Sequence, residues 1–351
     1  MTKTMQKRVH TKPDGRTLNL YGWQPHDLPV TEELEPVGPP TPQMRWNALR
    51  GEWVAYTAHR QNRTFKPPAE YCPLCPVKKG GFPGEIPFED FELVVFDNRF
   101  PGLALNPPAP EGDFPVPTEG AVGHCEVVVF SSAHSGSLAS LAPERRELLV
   151  RAWADRYRDL LAKEKIAFVM PFENRGEEIG VTLHHPHGQI YAFSFMPPVV
   201  EKMVAAFRKA PVIQELRQAA GDRYDVGANE TAVAFVPPFA RFPSEVWVTT
   251  RKAHPGPWTF SDAEVRDFAA LLGETVARYD GLFGKPMPYL MILYAAPKGE
   301  EGHFQFHAQF LPFLRTADRL KYLAGCEQGA GTFLVDSLPE QMVERLREVK
   351  L

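Results

Sequence analysis

Glu126-Val127-Val128-Val129-Phe130, with His134 shortly after it, and Glu245-Val246-Trp247-Val248-Thr249, with His254 shortly after it, are two versions of one pattern. Each is β-rich by residue type. A helical pattern follows each run. In the first, Pro143 suits the opening turn, and Leu148, Leu149, Ala152, Trp153, Leu160 and Leu161 make an apolar stripe. In the second, Ser261 with Glu264 reads as a capping box ahead of Val265, Phe268, Ala269, Leu272 and Val276. Two further strands are expected after each helix, over 166–172 and 181–195 in the first copy and over 289–294 and 304–313 in the second. His185 lies 51 residues after His134, and His307 lies 53 after His254. Four elements in the same order argue for duplication and an α+β fold of antiparallel strands with flanking helices. Under this alignment Gln309 takes the place that His187 holds in the first copy. Glutamine is no nucleophile, so the reactive group stays in one half and the other serves binding or assembly.

The expected division is 1–44 as an N-terminal extension and linker, 45–196 as the first repeat, and 197–351 as the degenerate second repeat for binding and dimerisation. Within the extension, Asp14-Gly15 suggests a hairpin turn, and the proline-rich stretch 36–42 a linker.

The densest chemistry lies in Phe172-Glu173-Asn174-Arg175-Gly176 and His184-His185-Pro186-His187-Gly188-Gln189. In an extended stretch His185 and His187 project to one face, while His184 faces the other way and is expected to be structural. Upstream, Cys72-Pro73-Leu74-Cys75 has the two-residue gap of a zinc knuckle, and the Pro-, Lys- and Gly-rich residues after it make a loop rather than a redox strand–helix. Two thiolates need two more ligands, and His134 and His185 are the best candidates, since the repeat puts them on neighbouring strands. Four protein ligands leave no open position, so the ion is expected to be structural.

Bulk properties narrow the class. The chain has 351 residues, 44% hydrophobic and 23% charged, with a formal net charge of −4, which argues against a general nucleic-acid or membrane-surface binder. No apolar run approaches the roughly 20 residues of a membrane helix, and the first residues lack the apolar core of a signal peptide. Four cysteines are too few for a disulfide framework, and the expected compartment is the cytoplasm.

The Phe-Glu-Asn-x-Gly and His-Pro-His-Gly-Gln motifs together resemble those of galactose-1-phosphate uridylyltransferases, a branch of the histidine-triad superfamily, over about 45–338. The resemblance implies two open antiparallel half-barrels, His187 as nucleophile, and zinc on Cys72, Cys75, His134 and His185. It implies substrate contacts from Arg60 and Arg63, from Asn98 in Phe96-Asp97-Asn98-Arg99-Phe100, and from Asn174, Gly180 and Thr182. Lys321 and Glu327 would contact the sugar across the interface of a homodimer. Departures from the family pattern are Arg99 for Asp, Thr182 for Ser, Cys326 for Tyr and Phe333 for Gln. The last two leave the hexose less defined than the chemistry. The ligands of the iron held by some members fall here on Met203, Tyr294, His307 and Gln309, which Glu201 does not rescue, so no second metal is expected.

The chemistry expected is transfer of UMP between UDP-glucose and galactose 1-phosphate, in ping-pong fashion through a uridylyl-histidine. Gln189 stands where hydrolases of the superfamily carry a third histidine. Its amide can hydrogen-bond a phosphoryl oxygen but supplies no proton, which favours transfer over hydrolysis. Arg175 is a further candidate phosphate contact. The alternatives are a nucleotide phosphorylase acting on ADP-sugars or dinucleotides with phosphate as acceptor, and an inactive nucleotide-binding zinc scaffold.

Overall fold

A computed structural model describes residues 3–57 and 67–351. Strands β1 (Gln6–Thr11) and β2 (Thr17–Gly22) form the hairpin expected at Asp14-Gly15. Its turn needs Gly15, whose φ of +82° lies in the left-handed region. Then come β3 (Gln43–Asn47), β4 (Glu52–Tyr56), β5 (Leu93–Asp97), β6 (Thr118–Gly120) and β7 (Gly123–Val129). Helix α1 (Pro143–Leu161) starts on the expected proline and leads to β8 (Phe168–Arg175) and β9 (His187–Phe193). Helices α2 (Pro198–Lys209) and α3 (Val212–Ala220) follow, then β10 (Asp225–Ala228), β11 (Ala232–Phe235) and β12 (Val246–Thr250). Helix α4 (Asp262–Phe283) opens with both hydrogen bonds of the Ser261–Glu264 capping box. Strands β13 (Tyr289–Tyr294), β14 (His307–Pro312), β15 (Leu314–Thr316) and β16 (Arg319–Leu320) and helix α5 (Pro339–Glu348) complete the chain.

Eleven strands form one antiparallel sheet in the order β1-β2-β5-β7-β9-β8-β13-β14-β12-β11-β10. The duplication is explicit in that order. The path β5-β7-α1-β8-β9 is repeated by β11-β12-α4-β13-β14, and the copies join where β8 pairs with β13. One face carries the main core: Leu148, Leu149, Trp153 and Tyr157 of α1 and Val265, Phe268, Leu272 and Val276 of α4 pack on Val128, Ile190, Met291 and Phe310 of the sheet. Burying these large side chains contributes about 1.5–3 kcal/mol each.

The opposite face is covered differently in the two copies. Over the first, the loop carrying the cysteines packs Leu74, Ile86 and Phe88 on Leu18, Val94 and Phe96. Over the second, α2 and α3 pack Val204, Phe207 and Ile213 on Val233, Phe235 and Tyr294.

The register corrects the internal alignment drawn from sequence. Gln189 stands opposite Phe172 on β8, Gln309 stands opposite Ile292 on β13, and Phe172 and Ile292 face one another across the junction. Gln309 is therefore the counterpart of Gln189, and His307 that of His187. Matching His307 to His185 had displaced the second copy by two residues, one full period of a strand, so side-chain alternation gave no warning.

Candidate active site and metal centre

On β9, Gly188, Ile190 and Ala192 point into the core while His187, Gln189, Tyr191 and Phe193 face the other way. The strand starts only at His187, not at residue 181, because Pro186 has no N–H to give the ladder; its carbonyl instead accepts from Phe130 N (3.3 Å). A Cβ at Gly188 would lie 2.8 Å from Phe172 O and 3.2 Å from the Phe130 ring, so only glycine lets β8 approach this closely.

The imidazole of His187 donates its Nδ1–H to His185 O (2.8 Å), which leaves Nε2 as the lone-pair nitrogen. Burial lowers the pKa of the ring, so it is neutral at neutral pH. Gln189 has a carboxamide oxygen that is buried with no hydrogen-bond partner among the described residues. Two cavities meet at these side chains. One, of about 430 Å³, is walled by Asn98, Arg99, Phe96, Thr182, Glu85 and aromatic residues. The other, of about 310 Å³, is walled by Asn174, Gly180, Thr182 and Tyr191. The fold thus brings His187, Gln189, Asn98, Asn174, Gly180 and Thr182 to one place. In the Asn98 turn, the Asn98 carboxamide oxygen accepts from Phe100 N (2.8 Å) and Asn98 N donates to Cys125 O (2.9 Å).

Other predicted residues sit elsewhere. Arg60 and Arg63 lie outside the described residues. Lys321 donates to Glu327 Oε1 (2.5 Å) and Leu334 O (2.7 Å), a buried pair that is not part of either cavity wall. Arg175 forks onto Asp280 (2.7 and 2.9 Å) and lies over the Tyr289 ring, which removes it from phosphate binding. Exposed His184 lies 3.5 Å from Glu177.

The four expected metal ligands converge. The Sγ of Cys75 lies 3.3 Å from His134 Nδ1 and 3.4 Å from His185 Nδ1, Cys72 Sγ lies 3.9 Å from His185 Nδ1, and all four ligand atoms lie within 4.8 Å of one another. These spacings suit a tetrahedron with bonds of about 2.0–2.3 Å. The set fits a cation chemically as well. Burial and the neighbouring Cys72 push the Cys75 thiol up to about 12, so a positive ion is needed to hold both sulfurs as thiolates. The other nitrogen of His185, Nε2, donates to Ser131 O (2.8 Å), turning the Nδ1 lone pair toward the sulfurs. Both histidines lie in loops, His134 after β7 and His185 before β9, and not on neighbouring strands as expected.

Sequence reasoning missed a second titratable cluster behind the Asn98 turn. His124 donates to Asp97 (2.9 Å) and lies 3.4 Å from Glu126, on which Arg156 forks (3.0 and 2.6 Å). Burial pulls the His124 pKa down, but Asp97 and Glu126 outweigh it and raise it to about 9. Arg156 supplies the cation here, so the cluster braces β5 against β7 and has no call for a metal. Glu173 was also missed. Burial pushes it up to about 7, partly offset by the Tyr289 hydroxyl donating at 2.8 Å across the β8–β13 junction. The only signal for either was charged residues inside apolar strands.

A duplicated antiparallel frame with a His-x-Gln strand beside a nucleotide-sized cleft defines a nucleotidyltransferase. The models of the galactose-1-phosphate uridyl transferase N-terminal and C-terminal domains match residues 39–197 and 202–351, and the chain belongs to that family. It is 37% identical over 321 residues to a galactose-1-phosphate uridylyltransferase of Thermotoga maritima, covering 88% of this chain and 99% of that one. It is 34% identical to one from Streptomyces lividans, covering 98% of each. Among solved structures, a uridylyltransferase superposes with a TM-score of 0.76 at 28% identity, covering 88% of this chain and 98% of that one. An ADP-glucose phosphorylase from Arabidopsis thaliana with bound ADP-glucose shares the fold, with a TM-score of 0.66 at 20% identity over 89% of this chain and 100% of that one. The protein is an enzyme, a uridylyltransferase.

Proposed function

We propose that the enzyme moves UMP between UDP-glucose and galactose 1-phosphate through a covalent uridylyl-His187. The observation that carries this is the His187 ring, neutral and fixed as the Nδ1–H tautomer by the His185 carbonyl, with Gln189 two residues on in the same cleft. In the first half-reaction Nε2 forms a bond to the α-phosphorus as the P–O bond to glucose 1-phosphate breaks, and the electron pair leaves on the phosphate oxygen. In the second, a phosphate oxygen of galactose 1-phosphate attacks the same phosphorus, the P–N bond breaks, and the pair returns to Nε2. No net proton is exchanged, so no acid is needed at position 189, and the amide of Gln189 is free to donate to a phosphoryl oxygen.

Asn98, Asn174, Gly180 and Thr182 are the contacts proposed within the cleft, with Arg60 and Arg63 as the phosphate-binding arginines. Lys321 and Glu327 are proposed to serve the site of a second subunit in a homodimer. Exposed Tyr322, Leu323, Leu334 and Leu338 beside them are the apolar surface such a partner would cover. The metal proposed for Cys72, Cys75, His134 and His185 is zinc, which would supply a fixed structural anchor beside β9 and no chemistry in the transfer. No iron is proposed at Met203, Tyr294, His307 and Gln309, a set with one histidine and no carboxylate. The extension 1–44 and the two halves divided at 196/197 are proposed as the domain units, and the cytoplasm as the compartment.

The test is incubation with UDP-glucose labelled at the α-phosphate. Acid-labile label on wild-type protein and none on His187→Gly is the expected result. An unlabelled wild type overturns the covalent reading. Adding acceptors then separates the chemistries: label released as UDP-galactose supports transfer, whereas release only by inorganic phosphate overturns it in favour of a phosphorylase.

A further inference from the structure

The larger cavity beside His187 has a feature that the family motifs do not account for. Among its described wall residues, Glu85 is the one carboxylate and Arg99 the one cation; the rest are apolar, aromatic or neutral. Glu85 is 5% exposed and comes from the loop after the cysteine pair, held by its backbone N–H donating to Pro73 O (2.8 Å). Its Oε2 accepts from Lys12 Nζ (2.5 Å) and Arg16 (2.9 Å), both on the β1–β2 hairpin, outside the segment that the family models match. Burial opposes its ionisation, but Lys12 and Arg16 outweigh it and keep it a carboxylate. Its Oε1 lies 3.7 Å from Arg99 NH1, too far for a hydrogen bond, and that buried NH1 donor has no partner among the described residues. A fixed acceptor and an idle donor therefore stand side by side in the wall.

A carboxylate repels phosphate, so this part of the cavity is not where the diphosphate lies. His187, Gln189 and Thr182 mark that end, since they also wall the second cavity, whereas Glu85 and Leu34 also wall a small cleft against the hairpin. Tyr71, Phe82, Phe96 and Phe100 offer faces for a base. What remains of a nucleotide is its sugar, whose vicinal hydroxyls both donate and accept. We propose that Glu85, with Arg99 beside it, binds the 2′,3′-diol of the nucleotide's ribose, and that the N-terminal hairpin holds Glu85 in place through Lys12 and Arg16. The inference rests on the uridylyl-transfer reading and deepens it by making Glu85 a specificity-determining residue.

The experiment compares UDP-glucose with its 2′-deoxyribose analogue as donor. A site built to hydrogen-bond a hydroxyl rejects the analogue lacking it, so wild-type kcat/KM should favour the ribose donor by roughly tenfold or more. Glu85→Gln should reduce this ratio to about threefold or less, with most of the change in KM. Removing Glu85 alone strands buried Lys12, whereas Arg16 keeps its pair with Asp14 (2.8 Å), so Lys12→Met/Glu85→Gln, which deletes the buried pair together, is the companion variant and should show the same reduced ratio. A ratio unchanged from wild type in a folded variant overturns the proposal. So does a retained ribose preference accompanied by lost preference for uridine over cytidine, which would place Glu85 on the base. Labelling of His187 by UDP-glucose, measured in the same variants, keeps the two readings apart: label with an unchanged ratio sinks only the role of Glu85, and absence of label in wild type sinks the transfer reading.

Discussion

The two halves of the sheet carry the same strand, His187-Gly188-Gln189 in one and His307-Ala308-Gln309 in the other, and the two rings are oriented alike. His187 donates Nδ1–H to the carbonyl two residues back at 2.8 Å, and His307 does so to Gln305 O at 2.9 Å. What differs is the cover. Over His187 lies a loop that leaves a cleft; over His307 lies α2, which brings Phe207, while Trp247, Tyr294 and Phe304 stack around the ring. That ring is 1% exposed, and its Nε2 accepts from the Gln309 amide at 3.1 Å instead of facing a cavity. The second difference lies in the loops. His134 and His185 meet two cysteines, whereas the counterpart His254 is held by Glu264 and Thr259 at 2.8 Å each, and His185 is replaced by Gln305. One copy presents an imidazole; the other packs one. Access to the ring is therefore a property of the cover and not of the strand.

The sharpest way to break this comparison is to mutate both rings. His187→Gly should lower UMP transfer by about 10³-fold or more, as loss of a covalent nucleophile does, while His307→Gln should leave kcat within about threefold. Comparable losses from both, in a transfer assay on folded proteins, would show that the second ring takes part. Next in size is the metal. Cys72→Ser, or chelation, should remove the bound ion and lower stability by several kcal/mol, read by metal analysis and thermal melting. Glu264→Gln in the other half should cost about 1–3 kcal/mol, the scale of one buried charged hydrogen bond.

The small residue between His and Gln tests how closely the strands approach. Gly188→Ala puts a methyl 2.8 Å from Phe172 O and should lower kcat/KM by about tenfold, by shifting β9 and the rings it carries. The reverse change, Ala308→Gly, should cost only about 1 kcal/mol of stability and no activity. Acid gives a further contrast. Burial lowers the His307 pKa to about 4 against an unfolded value near 6.5, so between those values the unfolded chain binds the extra proton. The stability from neutral His307 is complete above pH 6.5 and falls as the pH drops toward 4, by up to about 3 kcal/mol. Denaturant titrations of wild type and His307→Gln across this window should differ in slope. Equal slopes would mean that the ring is protonated at little cost. The smallest effect expected is from Arg175→Lys, which keeps a positive charge beside Asp280 but loses the fork; because Arg175 walls neither cavity, kcat/KM should change less than about threefold.

Much of this was legible in the chain. The duplication followed from β-rich runs, a proline start and a capping box at matching places, because those signals are local. The four candidate metal ligands and the His-Pro-His-Gly-Gln segment were legible because few residue types do that chemistry. The repeat register was not, since a two-residue displacement preserves the alternation of faces and only pairing across β8 and β13 fixes it. Arg175 misled because the sequence does not say that Asp280 waits across the junction. Glu85 was invisible because its partners Lys12 and Arg16 come from a hairpin far away in sequence.

By itself, the sequence determined which residues can form a P–N bond, bind a thiophilic cation and start or stop each element, for these depend on side-chain chemistry and on neighbours a few residues away. The tertiary structure alone decided which of two equivalent imidazoles is open to substrate. Access is set by what packs over a strand, and a helix and a loop from distant parts of the chain cover the two halves differently.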